Sequence, residues 1–496
     1  MGRFRSFLSN YEESFRRSLL WIALYYMAGR KALNPSNIAD ADLWWHLRTG
    51  EWIVQHHWVP YTDSFSSYGM GRPWAAYSWL FEVLVYGLHK YFGLIGLLVF
   101  VCVMTLLITA ALHNLILTVE PRVANSIVLT GVAMFAMAPL FTPRPWLFTI
   151  LLFIIEVKIL TNVRRSREYG LLFLLPALFA LWANIHIQFV YGLFVLGVFA
   201  CENLIYRIFG LPQVNGGHDR ALPTALMTLV LLVCTLATLA NPYHFRIYLV
   251  VLDTMKLAGL HNLVSELGAM EFRNLADWFV LALTLGAAFT LGRRGRIKPL
   301  WIPLLLAGAF MSFHSRRDVW FGVIIAVAII CYATPPIVIG GRYLLSNAQV
   351  AFISAAVGIV LLLTIRVQNI SQNGLQDEVA RNFPVQAANV IEERGYAGPL
   401  YNDFNWGGYL IWRLPQLPVA IDGRGNLHEA LRIKQFANTW DGIHDWASDP
   451  ELNAARLVIA EKYVPLTQLL RLDNRFELVY EDEVAVVFIS RNTPTN

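Results

Sequence analysis

Asp40 and Asp42 stand just ahead of a Trp pair and a histidine, in the run Asn37-Ile38-Ala39-Asp40-Ala41-Asp42-Leu43-Trp44-Trp45-His46-Leu47-Arg48. A carboxylate in this setting suits a general base acting on an acceptor hydroxyl, and a pair of them suits a divalent cation such as Mg2+ or Mn2+. Residues i and i+2 do not share a helix face, so both aspartates reach one site only from a cap or an extended entry. In the competing structural reading one of them caps the following helix by accepting backbone N–H bonds. A second feature is cationic. In His314-Ser315-Arg316-Arg317-Asp318 two adjacent arginines offer planar forks that match a phosphate. Snorkelling to lipid headgroups, or a local pair with Asp318, is the alternative there.

The elements that must carry these groups are set by composition. Hydrophobic residues make up 56% of the chain, charged residues only 15%, and mean hydropathy is +0.48. That is a polytopic α-helical membrane protein. Apolar runs approach the roughly 20 residues that cross a hydrocarbon core and predict about eleven spans. They fall at 17–33, 93–118, 124–141, 145–162, 170–184, 188–208, 222–240, 275–292, 298–313, 319–338 and 348–366. The first is short in its apolar part and also suits an interfacial helix. A transmembrane domain over 1–366, with a long first external loop at 34–92, is followed by a polar α/β domain over 367–496.

Arg3, Arg5, Arg16 and Arg17, with no cleavage pattern, place the N-terminus in the cytoplasm. Alternate loops then put Arg164-Arg165-Ser166-Arg167, the stretch Arg207 to Arg220, Arg293 to Lys298 and Arg342 inside, as the positive-inside rule requires. Loops 34–92, 142–144, 185–187, 241–274 and 314–318, and the tail, face outward, so Arg316 and Arg317 break the rule. Cys102, Cys201, Cys234 and Cys331 all lie in predicted spans, so no disulfide framework is expected outside. The net charge of +5 comes mostly from cytoplasmic arginines, and no basic-aromatic block predicts a nucleic-acid partner.

Within the first loop, Leu43, Trp44, Leu47, Trp52 and Ile53, and then Trp79, Leu80, Val83, Leu84 and Leu88, recur at near-helical spacing. Two interfacial amphipathic helices are predicted, joined by turn chemistry around Pro60 and Gly71-Arg72-Pro73. In the tail, Ala388–Arg394 suits a helix, while Val419-Ala420-Ile421, Leu457-Val458-Ile459 and Val484–Phe488 suit strands. Asp422-Gly423-Arg424 reads either as a strand-ending turn with a local ion pair or as an acceptor contact. Arg144, Asn184, His186, Gln188, Asn241, His244 and Glu266 cluster at predicted outer ends of spans. They serve as caps and interfacial hydrogen-bonding groups, or line a cavity. Neither a zinc-type Cys/His spacing nor a P-loop is present.

The order of these parts resembles the GT-C class of integral-membrane glycosyltransferases. The run from Asp40 through Glu51-Trp52-Ile53, with Pro60, Asp63-Ser64-Phe65-Ser66, Gly71-Arg72-Pro73-Trp74 and Trp79-Leu80-Phe81-Glu82, is similar to a group of bacterial GT-C-like proteins. Arg144-Pro145-Trp146-Leu147-Phe148, Trp182-Ala183-Asn184-Ile185-His186 and Leu239-Ala240-Asn241-Pro242-Tyr243 extend the likeness. Tyr401 to Trp412, followed by Val419 to Arg424, fills the place of the Trp-Trp-Asp-Tyr-Gly segment of oligosaccharyltransferase catalytic subunits. Gly407 stands where that segment has Asp, so recognition of a glycosylation sequon is not carried over. Tyr77-Ser78 stands where relatives often have His-Glu.

The resemblance implies a sugar donor linked to a polyprenyl phosphate or diphosphate, used at the outer face of a bacterial cytoplasmic (inner) membrane. It implies a glycan, lipid or protein as acceptor. Asp40 or Asp42 would be the base, and Arg316, Arg317 and Arg144 would hold the donor phosphate. His46, Glu82, His186, Glu266, Trp406, Tyr409, Asp422 and Arg424 would line the cavity or meet the acceptor. Two other classes fit the same sequence: a non-catalytic GT-C scaffold subunit of a membrane complex, and a transporter or flippase. No inverted repeat supports the latter.

Overall fold

The computed structural model describes residues 2–118, 123–208, 221–256, 266–293, 299–333, 345–443 and 445–491. The predicted cytoplasmic segments 209–220 and 294–298, Arg342, and the end of the span predicted to reach residue 338 lie outside the described residues. Two compact units account for the chain: one comprises residues 1–34, 98–241 and 266–370, the other 35–97, 242–265 and 371–496.

Helices run in the order α1 (Gly2–Ala32), α2 (Leu43–His56), α3 (Trp79–Leu117), α4 (Val123–Ala136), α5 (Trp146–Ser166), α6 (Leu174–Ile185) and α7 (Phe189–Ile208). They continue with α8 (Thr224–Ala237), α9 (Arg246–Lys256), α10 (Leu275–Gly292), α11 (Trp301–His314), α12 (Val319–Ala333) and α13 (Asn347–Val367). Among the described residues five are long and apolar enough to cross a membrane, namely α3, α5, α7, α10 and α13, while α4, α6, α8 and α11 are apolar but shorter. This is a multi-pass membrane protein, and of the roughly eleven spans expected, five are met by helices of full crossing length and others by shorter apolar helices. The shortening has a local cause that hydropathy does not register: α4 stops at Ala136 before the 3-10 turn Ala138–Leu140, which contains Pro139, and a 3-10 turn at Tyr169–Phe173 precedes α6.

Both amphipathic segments of the first loop are helical. The second is continuous with a span: α3 bends at Gly93, whose φ of 63° lies in the left-handed region that glycine tolerates. That break frees backbone N–H groups, and the Gln372 side-chain oxygen accepts the Leu94 N–H at 3.0 Å. Helix α9, inside the loop expected over 241–274, was not expected.

The tail adds α14 (Gln372–Asn382), α15 (Val385–Glu393), α16 (Gly407–Arg413), α17 (Ala430–Trp440), α18 (Pro450–Ala454) and α19 (Pro465–Leu472) around a sheet. Its strands β1 (Leu400–Asn402), β2 (Leu457–Glu461), β3 (Phe476–Glu481) and β4 (Ala485–Ser490) lie in the order β1-β2-β4-β3. Strands β1 and β2 pair parallel, while β4 is antiparallel to both β2 and β3. The strand expected at Val419-Ala420-Ile421 is not in this sheet. Instead the first loop takes its backbone: Val419 bridges Ser66, its N–H donates to Phe65 O at 3.2 Å, and Ser67 N–H donates to Val419 O at 2.9 Å.

Arg424 fixes that junction. Its Nε and Nη2 donate to the two oxygens of Asp422 at 2.8 Å each, and Nη1 donates to Asp63 Oδ1 at 2.6 Å. All three side chains are 0% exposed. Asp63 also accepts the N–H groups of Phe65 and Ser66 at 3.0 Å, so the cation is tied into the backbone of the loop. Trp74 and Phe65 flank the guanidinium, with ring centroids at 4.7 and 5.3 Å. Removing one partner of such a cluster strands buried charge, at a cost of about 3–5 kcal/mol. Arg424→Ala is expected to lower stability by that order and to open the tail to protease well before wild type on heating. Unchanged protease resistance would contradict this role. Arg424→Lys, which keeps the charge but not the fork, should fall between the two.

Candidate functional site

Each unit holds one polar cluster. In the unit containing the tail, the backbone N–H of Asp42 donates to Asp40 Oδ1 at 3.0 Å, so Asp40 closes a short turn ahead of α2. Asp42 occupies the N-cap position but makes no side-chain cap bond, so the expectation of a carboxylate cap at α2 is corrected. Its carboxylate lies against Gly423, where an added Cβ would collide with Asp42 Oδ1. Gly408 likewise leaves room for Ala41 O and the Trp45 ring. Asp40 and Asp42 are both half-buried.

One turn into α2, His46 Nδ1 lies 3.2 Å from Glu82 Oε1 of α3, both side chains being buried. His46 also contacts Trp45, with ring centroids 3.6 Å apart. Since His46 N–H donates to Asp42 O at 3.2 Å, Glu82 steadies the turn that presents Asp42. Trp406 is buried and donates its Nε1 to Asn382 O at 3.1 Å, while Tyr409 is buried between Trp44 and Phe383. Asp422 and Arg424 are the enclosed ion pair described above. Burial opposes ionisation of Asp422, but Arg424 and then His428 outweigh it and hold the carboxyl well below the usual range.

In the other unit, the 314–318 turn pairs its backbone with the segment from Glu266. Arg316 N–H donates to Gly268 O at 3.1 Å and Arg317 N–H to Glu266 O at 3.0 Å. That register gathers Arg144, Glu266, Arg316 and Arg317, with His186 at the end of α6. Arg144 Nη2 is 3.5 Å from Glu266 Oε2, and Arg316 Nη2 is 2.8 Å from Glu271 Oε1. Arg144 also lies over the Trp146 ring, 5.1 Å from its centroid. His186 is buried, with Nδ1 2.9 Å from Thr149 Oγ1. Burial first, then the positive charge of Arg317 and Arg144, pushes its pKa well down, so the imidazole is neutral.

Several members of these clusters were not singled out from sequence. Asp63 and His428 join the Arg424 cluster and Glu271 pairs Arg316, while Gln188, already expected among the polar span-end groups, donates its Nε2 to Asp318 Oδ1 at 2.7 Å. A carboxylate opening the turn Asp63-Ser64-Phe65-Ser66 was a visible signal, whereas nothing local marks Glu271. Among the described residues no three His, Cys, Asp or Glu side chains gather to hold a metal. Asp40 and Asp42, with one oxygen of Asp40 accepting a backbone N–H and no third ligating side chain beside them among the described residues, fall short of the ligand set of a resident cation.

The fold that carries these clusters is that of the GT-C glycosyltransferases. ArnT from Cupriavidus metallidurans, solved bound to undecaprenyl phosphate, aligns over 95% of this chain and 97% of its own, with a TM-score of 0.50 at 15% identity. The archaeal oligosaccharyltransferase AglB from Archaeoglobus fulgidus, solved with an inhibitory peptide and a dolichol-phosphate, aligns over 90% of this chain and 69% of its own. Its TM-score is 0.54 at 10% identity. At these identities the likeness is one of fold. No family model matches the chain, and no curated protein matches it by sequence.

The tail also contains a group that titrates near neutrality. Burial, then the charge of Glu461, pushes the Asp403 carboxyl up from 3.8 to about 7, against the lowering effect of N–H bonds from Asn405 and Trp406. A carboxyl whose folded pKa is raised binds more protons folded than unfolded, so its contribution declines as pH rises from 3.8 to about 7. Asp422, whose pKa is depressed, acts the other way and loses its contribution below its ordinary 3.8. Asp403→Asn should therefore remove the decline between pH 4 and 7 in thermal unfolding of the tail and leave the loss at lower pH. A variant with the wild-type slope over pH 4–7 would contradict the assignment.

Proposed function

We propose that this protein is a GT-C glycosyltransferase that moves a sugar from a polyprenyl-phosphate or polyprenyl-diphosphate carrier to an acceptor hydroxyl at the outer face of a bacterial cytoplasmic membrane. The observation that carries the reading is the placement of Arg144 and Arg317 beside a neutral His186 in the span unit, with Arg316 next in the same turn, in a fold shared with two proteins solved holding a lipid phosphate. In this reading the helices cross the membrane about eleven times, short spans included, with the N-terminus inside and the tail outside.

The chemistry assigned to each residue follows from its place. Asp42, uncommitted to its own helix cap, takes the proton of the acceptor hydroxyl, and Asp40 holds the turn beneath it. The acceptor oxygen attacks the anomeric carbon, the carbon–oxygen bond to phosphate breaks, and the electron pair leaves on the phosphate. Within the span unit, Arg317, Arg144 and Arg316 are the groups assigned to the carrier phosphate. His46 and Glu82 are positioning residues for the Asp42 turn. Trp406, Tyr409, Asp422 and Arg424 shape the acceptor side from within its core, and Glu266 sits as the resident anion on Arg144.

In membranes supplied with a radiolabelled polyprenyl-linked sugar, Asp42→Asn is expected to lower transfer by about 10²–10⁴-fold with lipid binding retained. Arg317→Ala should weaken undecaprenyl phosphate binding at least roughly tenfold, the loss of a charge-assisted hydrogen bond. Full transfer by an Asp40→Asn, Asp42→Asn double variant would rule the base assignment out. The pairs Arg144–Glu266 and Arg316–Glu271, which already compensate two of the cations, favour a second reading, a scaffold subunit that binds no donor. Copurification with a larger complex at fixed stoichiometry, without lipid-phosphate binding, would select it.

A further inference from the structure

Glu156 belongs to neither cluster and takes no part in the proposed transfer. It lies midway along α5, is 0% exposed, and neither of its carboxyl oxygens has a hydrogen-bond partner. The contrast with Glu202 is direct: that acid is equally buried, yet Arg164 donates to it at 2.6 Å. Glu156 packs against apolar and aromatic groups of two further helices. A Cβ added at Gly192 of α7 would lie 2.5 Å from Glu156 Oε2 and 2.8 Å from both Phe179 Cζ and Trp182 Cζ3 of α6. The glycine therefore makes the room the carboxyl occupies.

An ionised carboxylate with no partner in such surroundings is costly enough that a protein neutralises it instead. A neutral acid costs far less. We propose that Glu156 is an intramembrane proton-binding site: a carboxylic acid that keeps its proton at neutral pH where α5, α6 and α7 meet. Loss of the proton would force the side chain toward water or draw a cation into the site. The inference does not rest on the transferase reading.

A protonated acid in an apolar site has a recognisable reactivity. With a hydrophobic carbodiimide the carboxyl proton moves to a carbodiimide nitrogen while the carboxylate oxygen bonds the central carbon. Acyl shift from oxygen to nitrogen then leaves a stable N-acylurea that retains every atom of both reactants. Full-length protein in liposomes is treated with dicyclohexylcarbodiimide at several pH values and the adducts are mapped by mass spectrometry. In parallel, infrared spectra of wild type and Glu156→Gln are compared. Modification at Glu156 and none at Glu202, with yield falling as pH rises, and loss of a protonated-carboxyl carbonyl band in Glu156→Gln are expected. Identical carbonyl absorption in the two proteins would overturn the proposal. So would protection of Glu156 from the reagent by Na+, which would assign the site to a metal cation.

Discussion

A guanidinium keeps its charge even with no exposure to solvent, so burying it is costly unless carboxylates come to it, and Arg424 obtains one from its own turn and one from Asp63, 361 residues away in sequence. Much of the tail-containing unit follows from that requirement. Asp63 is held by its own loop N–H groups, so the first external loop closes onto Val419–Arg424 and takes the backbone a tail strand would otherwise use. Gly407, Gly408 and Gly423 then let Ile421, Ala41 and Asp42 approach more closely than any side chain would allow. Buried ion clusters contribute little net stability compared with apolar packing, but they are intolerant of a missing partner. The presentation of Asp42 depends on that intolerance.

The cationic cluster of the span unit is arranged differently. Its arginines are only partly enclosed and two are met by glutamates at 3.5 and 2.8 Å. Pairs of this kind are weakly held where water reaches them, and a phosphate offers an arginine fork more charge and a better geometric match than a carboxylate does. A neutral His186 among them adds no competing positive charge and keeps a hydrogen bond to Thr149. The Arg424 cluster thus holds its charges closed and the Arg144–Arg317 cluster leaves them open to exchange, as expected if the first fixes a geometry and the second binds an anion.

Much of this was legible in the sequence where the signal is local. The apolar runs of α5, α7, α10 and α13, the amphipathic Trp44–Ile53 face, and the β-branched runs of β2 and β4 all read directly. Failures came where a distant segment decides the outcome. Val419-Ala420-Ile421 has strand composition, but Ser66 and Phe65 take its backbone. Strand β3, Phe-Glu-Leu-Val-Tyr-Glu, carries exposed acids that mask it, and β1 is only three residues long. For the site, the acidic and arginine motifs were visible from residue type and topology. The roles inside them were not, since nothing near Asp42 in sequence reveals that it lacks a cap bond or that Gly423 lies against it.

The most direct test of the account is an electron cryomicroscopy map of the full-length protein with added undecaprenyl phosphate. Phosphate density within hydrogen-bonding distance of Arg317 and Arg144, with the Glu266 carboxylate moved off Arg144, is the predicted result. A map in which the lipid phosphate binds elsewhere while Arg144–Glu266 and Arg316–Glu271 stay paired would contradict it.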